Sequence, residues 1–335
     1  MLAAILRAPK PITENPLILT DVPTPLPREH EVRIRVHTCG VCHTDLHTVE
    51  GDIRLPKLPV IPGHQIVGVI ETLGSKARRF KEADRVGVPW LHHTCGQCHY
   101  CKNGRENLCV QAEFTGLQSD GGYAEFSVVD EAFAYSLPKD FSDYRAAPLL
   151  CAGVIGYRAL RLSDIRRGER LGLFGFGSSA HIAIQIARYW NCEVYVFTRS
   201  SEHQKHAMAL GAVWVGLAED SPPEKLQAAI IFAPAGRLVL DALRVMDRGG
   251  TAVLAGITMT PIPEIDYDNL LYHERKLRSV ANATRQDAET LLSLASQIPL
   301  STDVEIFPLS QINSTLQELK NSRIRGAGVI EISPA

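Results

Sequence analysis

No apolar run in this sequence approaches the ~20 residues that a helix needs to cross a bilayer. The N-terminal apolar stretch, MLAAIL, ends at Arg7. It is too short for the core of a signal peptide, and no small-residue cleavage site follows it. The expected compartment is therefore the cytoplasm, with no membrane partner. An excess of one charge is also missing. The 35 Lys and Arg residues face 37 Asp and Glu residues, and the basic ones are scattered. That excludes the concentrated basic surface by which proteins hold nucleic acid. Internal repeats and low-complexity linkers are absent too. In a reducing cytoplasm structural disulfides are not expected, so the eight cysteines need another use.

What is present is the composition of a soluble globular protein, 45% hydrophobic and 21% charged over 335 residues. That length suggests about two domains. Residues 1–150 are rich in Gly, Pro and β-branched residues, with short strand-like runs at Glu31–His37 and Gln65–Leu73. They read as an irregular, mostly β domain. Residues 151–284 alternate apolar runs with helical periods. Strands are expected at Leu171–Phe174, Glu193–Thr198, Ala228–Ala233 and Thr251–Ala255. Helices are expected at Ala180–Tyr189, Glu202–Leu210 and Gly236–Met246. This alternation predicts an α/β fold with a doubly wound parallel sheet. Residues 285–335 hold two helical periods, Ala288–Gln297 and Ser310–Asn321, and a closing strand, Gly328–Ile332. They are too few for a domain and are expected to complete the first one.

Cys95, Cys98, Cys101 and Cys109 stand as C-x2-C-x2-C-x7-C. Two-residue gaps let successive thiolates converge on one ion, and four of them close a tetrahedral zinc shell. Such a site has no open position, so its expected role is structural. An iron–sulfur cluster also takes four cysteines, but the final gap and the lack of a following Pro favour zinc. His92, His93 and His99 nearby are then surface or packing residues.

Three further stretches read GVCHTDLH from Gly40, PGHQ from Pro62 and LLCAG from Leu149. Together they offer Cys42, His64 and Cys151. Two thiolates and one imidazole leave a fourth zinc position open, the pattern of a catalytic site. A Lewis acid there lowers the pKa of an alcohol oxygen and so prepares hydride departure. Cys39 and Cys192 are left over as buried, inert thiols.

Residues 171–187 read LGLFGFGSSAHIAIQIA, in which Gly175, Gly177 and Ala180 supply G-x-G-x-x-A between an apolar strand and an amphipathic helix. That context marks a dinucleotide fingerprint. Gly175 permits the tight turn, Gly177 admits the pyrophosphate, and Ala180 lets helix and strand pack closely. The next strand ends in Thr198-Arg199-Ser200, without the carboxylate that reads the ribose 2′-hydroxyl of NAD. Arg199 can pair with a 2′-phosphate, and Ser200 adds a donor. NADP(H) is therefore expected over NAD(H), with His203 adding weak positive charge.

The stretches GVCHTDLH, GHQIVGVIETLG, CGQCHYCKNGRENLC, GGYAEF, APLLCAG, GFGSSAHIAIQIAR and LKNSRIRGAGVIE together resemble the zinc-dependent medium-chain alcohol dehydrogenases over nearly the whole chain. The resemblance implies a GroES-like catalytic domain joined to a Rossmann domain, two zinc ions per chain, and a small alcohol or aldehyde as substrate. It further implies a homo-oligomer, dimer or tetramer. It makes Cys42, His64 and Cys151 the catalytic zinc ligands. By the same resemblance Thr44 takes the alcohol proton, His47 relays it to solvent, and Asp45 orients His64. Ala255, Gly256 and Ile257 would line the nicotinamide. Trp90 is either a core indole or a wall of the substrate pocket, where its size would favour small or linear substrates. Two positions depart from the family. Gln65 replaces a Glu, which makes the metal pocket one unit more positive. Ala327 stands where many relatives have a pyrophosphate-binding Arg. The competing readings are an NADPH-dependent enone or quinone reductase, whose members usually lack both zinc sites, and a cofactor-binding homologue whose catalysis is impaired.

Overall fold

The computed structural model describes residues 1–333. The chain divides into two compact units. The first comprises Met1–Cys151, Thr284–Gln297 and Ser301–Ala335, and the second comprises Ala152–Ala283 together with Ile298–Leu300.

The first unit is built on a seven-stranded sheet. Its order is Val304–Pro308, Ala327–Glu331, Glu31–Val41, Ile66–Leu73, Arg85–Val88 and Tyr135–Ser136, with Phe126–Asp130 also paired to Glu31–Val41. The strand at Glu31 runs beyond His37 to Val41. The added residues pair with Glu331–Gly328 on one edge and Ile66–Val67 on the other. Its alternate residues Val32, Ile34 and Val36 are fully buried, along with Ile66, Ile70, Val86 and Val88 from its neighbours. That half-buried alternation is the period-2 signal of the sequence. The strand stops at Cys42, which caps the helix His43–Glu50. Cys42 Sγ accepts from the Thr44 N–H, and Asp45 accepts from the Cys42 N–H, so the cap is reciprocal. The same turn therefore ends a strand, starts a helix and presents a thiol.

The second unit holds a six-stranded sheet in the order Trp214–Gly216, Glu193–Phe197, Arg170–Phe174, Leu226–Ile231, Met246–Leu254, Lys276–Ser279. Every pairing is parallel. Numbered along the chain, this is the order 3-2-1-4-5-6 of a dinucleotide-binding fold. Near-continuous apolar strands follow from burial on both faces; Leu171, Leu173, Phe174, Val194, Val196, Ala228, Ala229, Ile230 and Ile231 are all fully or almost fully buried. The Phe174 and Phe197 rings stack at 4.1 Å across the central pair. The expected helix at Gly236–Met246 is shorter, Leu238–Val245, because Met246 is already extended and opens the next strand. The short edge strands Trp214–Gly216 and Lys276–Ser279, and the helix Ala152–Leu162, have no counterpart among the sequence expectations. No helix among the described residues is long and apolar enough to cross a membrane.

Candidate metal centres and dinucleotide site

In the first unit, Cys42, His64 and Cys151 converge from three elements. Cys42 ends the long strand, His64 lies just before the strand Ile66–Leu73, and Cys151 ends the short helical turn Ala147–Leu150. Their ligand atoms lie close together, with His64 Nε2 3.4 Å from each sulfur and the two sulfurs 3.9 Å apart. Bonds of ~2.3 Å to sulfur and ~2.05 Å to nitrogen at the tetrahedral angle give about 3.8 Å between sulfurs and about 3.6 Å between sulfur and nitrogen. The triangle therefore matches three corners of one tetrahedral ion. His64 Nδ1 meets Asp45 Oδ1 at 2.9 Å, which fixes the ring with Nε2 toward the sulfurs. Asp45 and His64 are each 2% exposed, so this support is rigid and dry. Burial pushes the Asp45 carboxyl up. The Cys151 thiol donating to Cys42, with the His64 ring beside it, holds Cys42 well below the usual thiol range.

Gln65 is buried behind this triangle. Its side chain lies on Gly40, where an added Cβ would come 2.6 Å from Oε1. Its Nε2 has no hydrogen-bond partner among the described residues. The ring of Trp90 lies 6.2 Å from that of His64 and stacks on Phe114 at 4.4 Å. It is packed on Phe114 and lies beside the ring of His64. Thr44 is buried in the first turn of the helix at His43, and His47 sits one turn later. Gly51, at φ +87°, turns the chain back over that helix end, donating its N–H to the His47 carbonyl. The turn brings Asp52 Oδ2 to 2.7 Å from His47 Nδ1. Asp52 escaped the sequence reading; an acid one residue past a helix-ending glycine was the available signal.

Cys95, Cys98, Cys101 and Cys109 also converge. Neighbouring sulfurs lie 3.5–3.9 Å apart, the edges of a single tetrahedron and too tight a cage for a multi-iron cluster. The N–H groups of Cys98, Cys95 and Gln111 point at sulfurs from 3.3–3.4 Å. Those of Gln97 and Cys98 hold the Cys95 thiol down to about 6. His92 is buried against Thr115 and burial drives it down to about 4, while His93 and His99 are exposed. Cys39 and Cys192 are buried in the core, and burial raises both thiols.

In the second unit the expected cofactor residues gather at the carboxyl ends of the parallel strands, where such sheets bind ligands. Gly175 follows Arg170–Phe174, Thr198 follows Glu193–Phe197, and Ala255-Gly256-Ile257 follow Met246–Leu254. Gly175 sits at φ +87°, and a Cβ there would meet Ala233 at 3.0 Å. Gly177 caps the helix Ser178–Tyr189, and a Cβ on it would meet nothing within 4 Å. That open space beside a helix N-terminus suits a phosphate. Ala180 is fully buried against the sheet. Arg199 is exposed, and Ser200 caps the helix Ser201–Ala209 by accepting from the His203 N–H. Ile257 is 45% exposed, an apolar side chain left open at the strand end. Ala327 opens the strand Ala327–Glu331, half-buried, and carries no phosphate-binding group.

Residues 28–139 match the family described as Alcohol dehydrogenase GroES-like domain, and residues 180–297 match the family described as Zinc-binding dehydrogenase. A probable alcohol dehydrogenase AdhA of Mycobacterium tuberculosis is 47% identical over 333 residues, covering 97% of this chain and 96% of that protein. An alcohol dehydrogenase of Geobacillus stearothermophilus is 34% identical over 328 residues, covering 95% and 97%. The solved structure of a cobalt- and zinc-bound thermostable alcohol dehydrogenase from Pyrobaculum aerophilum superposes with a TM-score of 0.90 at 25% identity, covering 99% of both chains. Fold, sequence and the two ligand clusters agree, and the chain belongs to the medium-chain zinc alcohol dehydrogenase family.

Proposed function

We propose that this chain is a two-zinc, NADP(H)-preferring alcohol dehydrogenase that interconverts small alcohols with their aldehydes or ketones. The observation that carries the reading is the triangle of Cys42, His64 and Cys151. Its three donors span three tetrahedral corners and leave the fourth for substrate. Its relatives' names and the cobalt- and zinc-bound Pyrobaculum enzyme support the metal assignment. Zinc held there supplies Lewis-acid polarisation of the substrate oxygen. Asp45 keeps the His64 ring aimed at the metal position through the Nδ1 bond. The Thr44 hydroxyl takes the alcohol proton, and His47 passes it to solvent. Asp52 fixes the His47 ring by holding its Nδ1. Trp90 beside His64 narrows the pocket toward small substrates. Gln65 adds no negative charge to the pocket. Cys95, Cys98, Cys101 and Cys109 hold the second, structural zinc.

In the second unit, Arg199 and Ser200 favour the 2′-phosphate, since no carboxylate at this strand end repels it. We place the enzyme in the cytoplasm as a dimer or tetramer, which light scattering tests. The deciding experiment measures zinc per chain alongside oxidation of a small primary alcohol with NAD and NADP in parallel. Two zincs and faster turnover with NADP are expected. One zinc or none would overturn the metal reading. Equal use of NAD would overturn the cofactor preference.

A further inference from the structure

We propose that His181, His203 and His206 form a proton-linked selectivity patch for the 2′-phosphate of NADP(H). The proposal rests on the cofactor reading above. His181 lies in the first turn of the helix Ser178–Tyr189, directly after the glycine loop. His203 and His206 lie on the helix Ser201–Ala209, directly after Thr198-Arg199-Ser200. The His181 and His206 rings stack 4.5 Å apart at 16°, and His203 meets His181 edge-on at 6.2 Å. The Phe176 ring, inside the glycine loop, packs 4.7 Å from His181 and 6.1 Å from His206. His181 Nε2 lies 3.1 Å from the Phe176 carbonyl, so this nitrogen carries the hydrogen and donates it. Three imidazoles thus sit, half-buried, between the phosphate loop and the strand end that reads the ribose.

The charged groups on the surrounding elements are Arg199 at the strand end, Glu202 and Lys205 on the helix of His203 and His206, Arg188 on the helix of His181, Arg158 and Arg161 on the helix Ala152–Leu162 packed against it, and Glu219 and Asp220 past the neighbouring strand Trp214–Gly216. Neither Arg nor Lys changes charge near neutrality. Histidine does so between about pH 5 and 8. A 2′-phosphate brings about −1.5 to −2 of charge at pH 7. Placed over this patch, it favours the protonated imidazoles. By linkage, binding must then draw protons from solution. Two stacked rings repel when both are charged, which limits the uptake. NADH presents a neutral hydroxyl at the same place and draws none. The affinity for NADPH relative to NADH therefore rises as pH falls from 8 toward about 6.5. It levels off near pH 6, where the phosphate itself gains a proton.

The test is calorimetric titration of the full chain with NADPH and with NADH at about pH 7, in buffers of different ionisation heat. These give the protons taken up per cofactor bound. The expected result is net proton uptake with NADPH and close to none with NADH. His203→Gln and His206→Gln should each reduce the uptake and flatten the pH dependence of NADPH affinity. They leave the Phe176 carbonyl contact of His181 in place. Equal uptake for both cofactors, or NADPH-specific uptake that survives both substitutions, would overturn the patch. Arg199→Ala, run beside them, isolates the underlying reading. If it selectively weakens NADPH while the histidine variants change nothing, the cofactor preference stands and the patch falls. If it weakens both cofactors equally, the cofactor preference falls.

Discussion

Gly175 and Gly177 lie two residues apart and answer to different constraints. Gly175 is needed by the fold itself, because its φ of +87° and the nearby Ala233 leave no room for a side chain. Gly175→Ala should cost about 1–3 kcal/mol of stability, read as a lower melting temperature. Gly177 has an ordinary φ of −98° and open space where its Cβ would stand. Gly177→Ala should leave the melting temperature unchanged and weaken dinucleotide binding several-fold, because the methyl occupies the space of the pyrophosphate. Matching losses of stability in both variants would contradict this division. Asp52 gives a second test at this scale. Its ion pair with His47 has 56% exposure on the acid side, so its contribution to stability is small, below about 1 kcal/mol. Asp52→Ala should lower alcohol oxidation several-fold with the melting temperature intact. Unchanged turnover would remove Asp52 from the proton path.

At the scale of elements, two junctions matter most. The strand Glu31–Val41, the strand Arg85–Val88 and the helix Asp143–Ala146 meet at Asp143, which lies 2.6 Å from His37 Nδ1 and 2.5 Å from Arg85 Nε. Burial pushes this carboxyl up, but the His37 and Arg85 bonds prevail and hold it below its ordinary value. A carboxyl with a depressed folded pKa stabilises the protein above its unfolded pKa of about 3.9 and loses that effect as pH falls through the folded value. The urea midpoints of the wild type and Asp143→Asn should therefore differ at neutral pH and converge below about pH 4. A gap that widens in acid would refute the assignment. The second junction is the cysteine lobe. Its own residues form helical turns of four residues or fewer, its flanking strands Leu91–His93 and Glu113–Phe114 have three and two residues, and Glu106 ties it to the helix Arg285–Ala295 by accepting from the Arg285 N–H. Such small elements bury little core, so the proposed structural zinc would supply much of what holds the lobe. Cys98→Ser should lower the melting temperature markedly, and added chelator should then have no further effect on that lobe. An unchanged melting temperature would argue against a structural ion.

Across the whole molecule, the parallel sheet and both ligand clusters were legible because their signals are local. Apolar runs such as Ala228–Ile231 and the cysteine spacings each lie within a few residues. Long-range signals were weaker. Nothing in GVCHTDLH says that its strand continues to Val41, because that extension is imposed by pairing with residues 328–331. Lys276–Ser279 carries two basic residues and sits at a sheet edge, where burial leaves little imprint on composition. Asp52 acquires its partner only through the backbone reversal at Gly51. Apart from the helix Ala152–Leu162, whose period is local, these features were set by tertiary pairing rather than by propensity.

The strand Ala327–Glu331 covers the edge of the long strand next to Cys42, where Gly328 faces Val41 and Ile330 faces Cys39. It is also the last strand of its sheet to be made. While the chain is still on the ribosome, backbone N–H and C=O groups beside the proposed metal ligand stay exposed, and an open edge invites pairing with other chains. Translation that stops short of residue 327 would therefore produce a polypeptide holding all seven proposed zinc ligands and both glycines of the fingerprint, yet prone to aggregate before the ion is secured.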